Sequence, residues 1–353
     1  MYWILLACNT DKENTTEDTV VETTEDTGAV EDSDTNETND TQEDTNAEDT
    51  GEVEEPPPPP KIVRFVAMGD GGEGNETQYK VADVLKNVCE EKTDDLDGCE
   101  FVLYLGDNIY DVGVDNVLDE QFYDKFEAPY ANIDFPFYVV LGNHDGGCWG
   151  AGCDFSKTEY QVDYTHYSDK WTMFDQFYRV DVEHVTFFGL DTNELFWSPW
   201  FGADEQYAWF EQEITSVNEW TIAFGHHPYI SNGQHGNAGT YEGLEWLEGS
   251  WGTDVPLGKG VKDFMEANVC GQIDVYFSGH DHNRQWLDPV CGTEFIVSGT
   301  AAKHTDLEGR GNQTKFEDDN YGGFLWVEIK DNCFYGEFYN EEGTMDFSHQ
   351  FCK

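Results

Sequence analysis

Five short apolar segments of this chain each run directly into a glycine and then into a polar residue that can bind a metal ion. The segments, each with the pair that follows it, are residues 62–68 with Gly69-Asp70, 101–105 with Gly106-Asp107, 137–141 with Gly142-Asn143, 220–224 with Gly225-His226, and 273–278 with Gly279-His280. Continuous apolar runs bounded by glycine are typical of strands buried on both faces. The pattern therefore predicts a sheet that is covered on each side.

The glycines allow sharp turns and close approach of neighbouring backbone segments. A single Gly-Asp or Gly-His pair is weak evidence for a site, because such pairs are common in turns. Five in series are much more specific. If the five strands end at one edge, their carboxylates, amide and imidazoles converge on a small volume, which predicts a metal site.

The residues around these pairs extend the motifs. They read Gly69-Asp70-Gly71-Gly72, Gly106-Asp107-Asn108-Ile109-Tyr110, Gly142-Asn143-His144-Asp145, Gly225-His226-His227-Pro228 and Gly279-His280-Asp281-His282. With these motifs in this order, residues 62–350 resemble the metallophosphoesterases and, within them, the small single-domain purple acid phosphatases. The resemblance implies an α/β fold with a two-sheet β-sandwich flanked by helices. It also implies a dinuclear metal site at the carboxyl edge of the strands.

The resemblance further implies which residues bind each metal. A ferric ion would be held by Asp70, Asp107, Tyr110 and His282, and a divalent ion, Fe(II), Zn(II) or Mn(II), by Asp107, Asn143, His226 and His280. Asp107 would bridge the two. The donor types agree, because a hard trivalent ion prefers carboxylate and phenolate oxygen, whereas an amide and two imidazoles suit a divalent ion. Two adjacent metals can hold the attacking and leaving oxygens of a phosphoryl transfer.

Tyr110 separates this chain from a related branch. The Ser/Thr protein phosphatases typically have Asp-Arg-Gly after the second Gly-Asp, whereas this chain has Asn108-Ile109-Tyr110 and no arginine. A phenolate on Fe(III) would colour the protein purple. The alternative is that Tyr110 is a packed aromatic, but its position three residues after Asp107 favours the ligand.

The implied reaction is attack on phosphorus by a hydroxide that Fe(III) activates, and the departing alcohol then needs a proton. The resemblance places two histidines beside the substrate, His144 and His235, as candidate acids. His235 is alternatively an exposed loop residue. For His227, packing is favoured over a pocket role. Asp145 and Asp281 are expected to orient neighbouring groups by hydrogen bonding.

Three functions follow from these observations. The favoured one is an acid phosphatase acting on small phosphomonoesters. A phosphodiesterase or nucleotide hydrolase would keep the fold and differ at the rim, which residues 146–167 are expected to shape. A non-enzymatic acidic surface lipoprotein that binds Ca²⁺ would leave the five ordered motifs unexplained.

The chain divides into three parts. Residues 1–8 are apolar and end in Leu5-Leu6-Ala7-Cys8, which looks like a bacterial lipobox with Cys8 as the lipid site; the alternative is a fortuitous apolar start. Residues 9–60 form an acidic Thr/Asp/Glu spacer that we expect to be disordered, ending in a polyproline stretch. Residues 61–353 supply the folded domain. A secreted, cell-surface or periplasmic protein, tethered to a membrane only through Cys8, is expected.

Charge and cysteines limit the partners and the compartment. Residues 9–55 hold 19 acidic residues and one lysine, a charge of −18, so −37 of the total of −55 lies on the rest of the chain. Such a domain repels nucleic acid and anionic membranes, and its self-repulsion favours a saline source. Eight cysteines besides Cys8 favour disulfides over zinc sites. The predicted pairs join sequence neighbours: Cys89–Cys99, Cys148–Cys153, Cys270–Cys291 and Cys333–Cys352.

Periodicity predicts the remaining elements. Helices are expected at residues 77–91, 117–126 and 204–217. Later segments at 294–298, 324–329 and 334–339 are expected to be antiparallel strands of a second sheet.

Overall fold

A computed structural model describes residues 58–242 and 256–353. The predicted lipid site at Cys8 and nearly all of the predicted spacer lie outside these residues. In the described part of the chain, no helix has both the length and the apolar character that crossing a membrane requires.

The described residues form two mixed sheets of seven strands each. The strands are β1 Ile62–Met68, β2 Phe101–Tyr104, β3 Phe137–Val139, β4 Trp171–Thr172, β5 Tyr178–Val182, β6 Val185–Gly189, β7 Trp220–Phe224, β8 Val275–Ser278, β9 Arg284–Leu287, β10 Glu294–Ser298, β11 Thr314–Asp318, β12 Gly323–Lys330, β13 Cys333–Asn340 and β14 Met345–Cys352. The first sheet has the order β14-β13-β12-β1-β2-β3-β4, and the second has the order β11-β9-β10-β8-β7-β6-β5. A core with aromatic side chains from both sheets, such as Phe65 against Phe187 and Phe277, joins them.

Helices flank the sheets. They are α1 Glu76–Glu91, α2 Phe155–Tyr164, α3 Thr192–Phe201, α4 Asp204–Glu213 and α5 Lys259–Phe264, with π-helical turns at Tyr123–Glu127 and Met265–Val269 and a 3₁₀ turn at Cys148–Gly150. Helix α1 begins where the Asn75 side chain accepts a hydrogen bond from the Gln78 N–H. It buries Val81, Leu85 and Val88 at helical spacing against the first sheet. The sandwich flanked by helices agrees with the predicted fold.

The predicted division into sheets is wrong in one respect. Strands β12 and β13 extend the first sheet, because β12 pairs antiparallel with β1 from Ile62↔Lys330 to Ala67↔Leu325. Strand β10 lies in the second sheet, as predicted, where it pairs antiparallel with β9 and parallel with β8. The motif strands β1, β2 and β3 therefore belong to one sheet, and β7 and β8 to the other. Such pairings join distant parts of the chain, so local patterns do not reveal them.

Of the predicted helix at 117–126, only residues 121–126 are helical, and most of these belong to the π-helical turn. The side chain of Asn116 accepts from the Leu118 N–H, and Asp119 accepts from the N–H groups of Asp115 and Gln121. These local bonds offer the backbone an alternative to the helical ladder. Helix α4 ends at Glu213 instead of 217, and three motif strands are shorter than predicted by one or two residues.

All four predicted disulfides are confirmed. The bonds Cys89–Cys99, Cys148–Cys153, Cys270–Cys291 and Cys333–Cys352 span Cα–Cα distances of 5.3, 5.6, 5.3 and 4.1 Å. Such bonds persist in oxidising surroundings, which fits an extracellular protein.

Candidate metal centre

The ends of strands β1, β2, β3, β7 and β8 bring polar side chains from both sheets to one place. The glycines permit this close approach. A Cβ atom on Gly142 would lie 2.2 Å from Asp107 Oδ1, and one on Gly279 would lie 2.4 Å from Asp70 Oδ2. The residues after the glycines carry the unusual backbone, with φ of 61° at Asp70, 52° at Asp107 and 68° at His280. Positive φ is unfavourable for these residue types and is concentrated at functional sites.

The first cluster surrounds the hydroxyl of Tyr110. That oxygen lies 3.0 Å from Asp70 Oδ1, 2.8 Å from Asp107 Oδ2 and 3.1 Å from His282 Nε2. Ligand atoms of Asp70, Asp107 and His282 all lie within 4.8 Å of one another. One hydroxyl has one proton and cannot donate to two carboxylates at the same time. A cation would complete this arrangement.

The second cluster contains Asn143, His226 and His280. His226 Nε2 lies 2.8 Å from Asn143 Oδ1, 3.0 Å from His280 Nδ1 and 3.4 Å from Asp107 Oδ2. The other end of the His226 imidazole donates from Nδ1 to the Leu105 carbonyl at 2.9 Å, so in the neutral ring Nε2 is an acceptor.

The orientation of Asn143 is fixed in the same way. Its Nδ2 donates to the Gly150 carbonyl at 2.8 Å, which turns Oδ1 toward His226 Nε2. Two acceptors therefore face each other, as ligands around a cation do. Asp107 approaches both clusters, which is the position of a bridging ligand.

Burial sets the protonation of these groups. Desolvation raises the pKa of Asp70 to about 7. Burial also opposes ionisation of Asp107, but the imidazoles of His226 and His144 and the His144 N–H outweigh it and lower its pKa. Burial lowers the pKa of His282 to about 3 and that of His280 well below its ordinary value. The imidazoles of His280 and His282 are thus neutral, as metal binding requires.

Burial, and then the charges of Asp107 and Asp70, raise the pKa of Tyr110 well above its ordinary value. A phenol beside two carboxylates stays protonated unless a cation lies between them, because a bound cation reverses this electrostatic balance. Tyr110 is buried, as expected for a packed aromatic residue. Its hydroxyl nevertheless faces the first cluster, where it contacts Asp107.

Asp145 and Asp281 hold the loops that carry these residues. The buried carboxylate of Asp145 accepts from the N–H groups of Asn108, Ile109 and Gly142 at 2.8–3.0 Å. Asp281 accepts from the His235 N–H at 2.7 Å. These contacts are of the orienting kind that the sequence predicts.

The two candidate acids flank the clusters, and both are half-buried. His144 Nδ1 lies 2.7 Å from the Asp111 carbonyl, and its ring centre lies 4.5 Å from that of Tyr110. His235 Nδ1 lies 3.0 Å from the Glu242 carbonyl, and its ring centre lies 4.2 Å from that of His280. In each ring Nδ1 donates to a carbonyl, which leaves Nε2 for other contacts.

His227, in contrast, is buried and packs. Its Nδ1 lies 3.0 Å from Thr192 Oγ1, and its ring stacks near Phe196 with centres 5.6 Å apart.

Sequence reasoning missed Thr192, whose hydroxyl accepts from the N–H groups of His226 and His227 at 3.1 and 3.0 Å. Thr192 lies three residues after Gly189, the last residue of strand β6, and does not follow the glycine directly, so its only signal was its place after a sixth apolar run.

Lys303 was missed too, and no motif marks it. Its Nζ lies 3.2 Å from the centre of the Tyr110 ring and 2.7 Å from Glu73 Oε1. It places a positive charge beside the first cluster.

Comparison with known proteins shows to which family the chain belongs. A sequence model of the calcineurin-like phosphoesterases matches residues 63–284, more than half of the chain. Tartrate-resistant acid phosphatase type 5 of Homo sapiens is 26% identical over 299 residues, which cover 76% of this chain and 84% of that protein.

Two solved structures share the fold. GAP50, the anchor in the inner membrane complex of Plasmodium, has a TM-score of 0.63 at 19% identity and is covered over 89% of its length by 82% of this chain. Purple acid phosphatase PPD1 from yellow lupin seeds has a TM-score of 0.60 at 19% identity, with coverage of 54% of that chain and 83% of this one. The predicted resemblance and fold are confirmed. The chain therefore belongs to the calcineurin-like phosphoesterase family, as an enzyme related to the acid phosphatases, which are phosphoric monoester hydrolases.

Proposed function

We propose that this chain is a metal-dependent acid phosphatase that hydrolyses small phosphomonoesters at a pair of cations. The observation that carries the proposal is the pair of acceptor-rich clusters that meet at Asp107. In the proposal, Fe(III) is held by Asp70, Asp107, Tyr110 and His282, and Fe(II), Zn(II) or Mn(II) by Asp107, Asn143, His226 and His280. The donor chemistry of each cluster supports this allotment.

When bound, the two cations would neutralise charge on the phosphate and lower the pKa of water, so that hydrolysis proceeds at acid pH. The residues of the chain supply positioning and protons. Water attacks phosphorus in line with the departing alcohol and releases a proton to solvent as the new P–O bond forms, while the bond from phosphorus to the alcohol oxygen breaks. The alcohol leaves with a proton from a protonated His144 or His235 at Nε2, the nitrogen that the Asp111 and Glu242 carbonyls leave free.

The substrate class is tested with p-nitrophenyl phosphate and its bis-ester, compared by kcat/KM between pH 4 and pH 8. We expect the monoester to be the better substrate, with the higher rate on the acid side. A preference for the bis-ester would instead favour the phosphodiesterase alternative. No hydrolysis of either ester by fully metal-loaded protein would contradict both.

The metal assignment is tested by visible spectroscopy with metal analysis of protein prepared without chelator. A broad band in the green to orange, with two metals bound of which one is iron, is expected. Tyr110→Phe removes the phenolate and should abolish the band, whereas Tyr123→Phe, which changes an exposed tyrosine, should leave it intact. A band that survives Tyr110→Phe would rule out tyrosinate as its source.

We also propose that the protein acts outside the cytoplasm on a lipid tether at Cys8. The four disulfides support the oxidising compartment. Mass spectrometry of the protein from its native membrane fraction would reveal a diacylglyceryl-modified Cys8, and recovery of unmodified Cys8 would contradict the tether.

A further inference from the structure

A short loop closed by the Cys148–Cys153 disulfide packs directly against the metal centre. It follows strand β3 and the Gly142-Asn143-His144-Asp145 motif, so the same stretch of chain supplies a candidate ligand, a candidate acid and the loop. None of the sequence motifs includes this loop. Its position raises the question of what the disulfide does there.

Gly150, inside the loop, touches both functional residues. Its carbonyl accepts from Asn143 Nδ2 at 2.8 Å, which points Asn143 Oδ1 at His226. Its Cα lies against the His144 ring, since a Cβ atom added there would be 2.8 Å from Cε1 and 3.1 Å from Nε2 of His144. The other side of the ring is held at Nδ1 by the Asp111 carbonyl.

The loop is anchored from outside as well. Helix α3 supplies two donors, Trp197 Nε1 to the Ala151 carbonyl at 2.9 Å and Asn193 Nδ2 to the Gly152 carbonyl at 2.8 Å. Helix α3 begins beside Thr192, which holds the backbone of His226. The loop thus connects the second cluster to the helix that supports its imidazole.

The backbone of this loop contains several residues with positive φ. The φ angles are 64° at Gly147, 55° at Cys148, 81° at Gly150 and 66° at Gly152. Glycine-rich segments have many alternative conformations, so holding several left-handed residues in place costs conformational entropy. A covalent bond across the loop removes many of those alternatives.

We infer that the Cys148–Cys153 loop is a positioning element that fixes the Asn143 amide for metal binding and the His144 imidazole for proton transfer. The inference rests on the proposed function of Asn143 and His144. This disulfide therefore has a role at the site. The Cys89–Cys99 disulfide, in contrast, closes a loop between α1 and β2, and that loop makes no hydrogen bond to the described residues of either cluster.

The first test compares Cys148→Ser/Cys153→Ser with Cys89→Ser/Cys99→Ser in the full chain. For the first variant we expect kcat for p-nitrophenyl phosphate to fall by about tenfold or more, because a misplaced catalytic group costs rate. Zn²⁺ binding to chelator-treated protein, measured by calorimetry, should weaken by about tenfold at one of two sites. The second variant should keep both properties, even where its melting temperature falls equally.

A second pair of variants leaves every disulfide intact. Gly150→Ala places a methyl group against His144, whereas Gly202→Ala has nearly the same φ, 82°, and nothing within 4 Å of the new atom. Both changes cost backbone strain, but only Gly150→Ala should lower kcat and displace the alkaline limb of the pH–rate profile, which reports loss of the proton from the acid. Unchanged kcat, pH profile and Zn²⁺ affinity in both loop variants would overturn the inference.

Failure of the proposed function is distinguishable from failure of this inference. If the wild-type protein hydrolyses no phosphomonoester, the proposed function fails. In that case the comparison of Zn²⁺ affinities still tests whether the loop positions Asn143.

Discussion

At the scale of single residues, the site depends on acceptors that face one another. Asp107, Tyr110 and His226 each meet more lone pairs than their protons can satisfy. Such an arrangement is unfavourable in a buried place unless a cation neutralises it. The mutual orientation of these side chains, more than their identity alone, makes the site a candidate metal centre.

His144 offers the sharpest test of the proton donor. Replacing it by Ala removes the imidazole and should lower kcat by about 10²–10⁴-fold, the usual contribution of a positioned acid. Metal content should stay unchanged, because the ring is not among the proposed ligands.

The control is His166→Ala, since His166 is exposed and lies outside every motif. It should behave as the wild type when kcat and bound metal are measured together. Loss of metal in His144→Ala would reassign this residue from acid to ligand.

The candidate ligands could be proposed from the sequence because each lies in a short motif that begins with a glycine at the end of a buried strand. The seven candidate ligands do lie together, in two groups that share Asp107. Thr192 and Lys303 could not be predicted, since each acts through a contact with a distant residue, Thr192 with His226 and Lys303 with Tyr110. Nothing in the nearby sequence encodes those contacts.

At the scale of elements, the strands were predictable and their pairing was not. Apolar runs bounded by glycine mark strands wherever they lie, so β1 and β7 were predicted to the residue. The pairing of β12 with β1 depends on contacts about 260 residues apart in the chain. The first part of the 117–126 segment is not helical because the side chains of Asn116 and Asp119 accept from the backbone N–H groups of Leu118 and Gln121.

Asp191, at the start of helix α3, should make the stability of the protein depend on pH. Asp191 accepts from the N–H groups of Asn193 and Glu194, and burial raises its pKa to about 7. Between about pH 4 and pH 7 the unfolded chain has released this proton, whereas the folded chain keeps it. The free energy of unfolding of the metal-free protein should therefore fall as pH rises through this window and level off above it.

Asp191→Asn keeps the helix cap and removes the ionisation. It should flatten this slope by up to about 1.4 kcal/mol per pH unit, measured by urea unfolding of chelator-treated protein. Asp204→Asn, at an exposed position in the first turn of α4, should leave the slope as it is. Equal slopes for wild type and Asp191→Asn would mean that Asp191 is ionised in the folded protein.

At the scale of the whole molecule, charge is the dominant property. The chain carries −55 with only 18 basic residues. Its substrate is an anion, so the field that keeps the protein soluble also opposes substrate binding. Cations at the site, and Lys303 beside Tyr110, would offset that field locally.

The large negative charge predicts that added salt changes both the melting temperature and the apparent KM. Added NaCl screens repulsion among exposed carboxylates over a distance of about 10 Å at 0.1 M and less at higher concentration. The melting temperature should therefore rise as NaCl increases from low to molar levels. The apparent KM for p-nitrophenyl phosphate should fall over the lower part of the same range, because screening weakens repulsion of the substrate.

KCl at equal ionic strength should match NaCl, since screening does not distinguish the two cations, while equimolar sucrose should leave KM unaffected. A melting temperature that falls with NaCl would show that attractive ion pairs such as Arg284 with Asp318 and Asp346 outweigh the repulsion, and the saline origin inferred from the composition would fail with it.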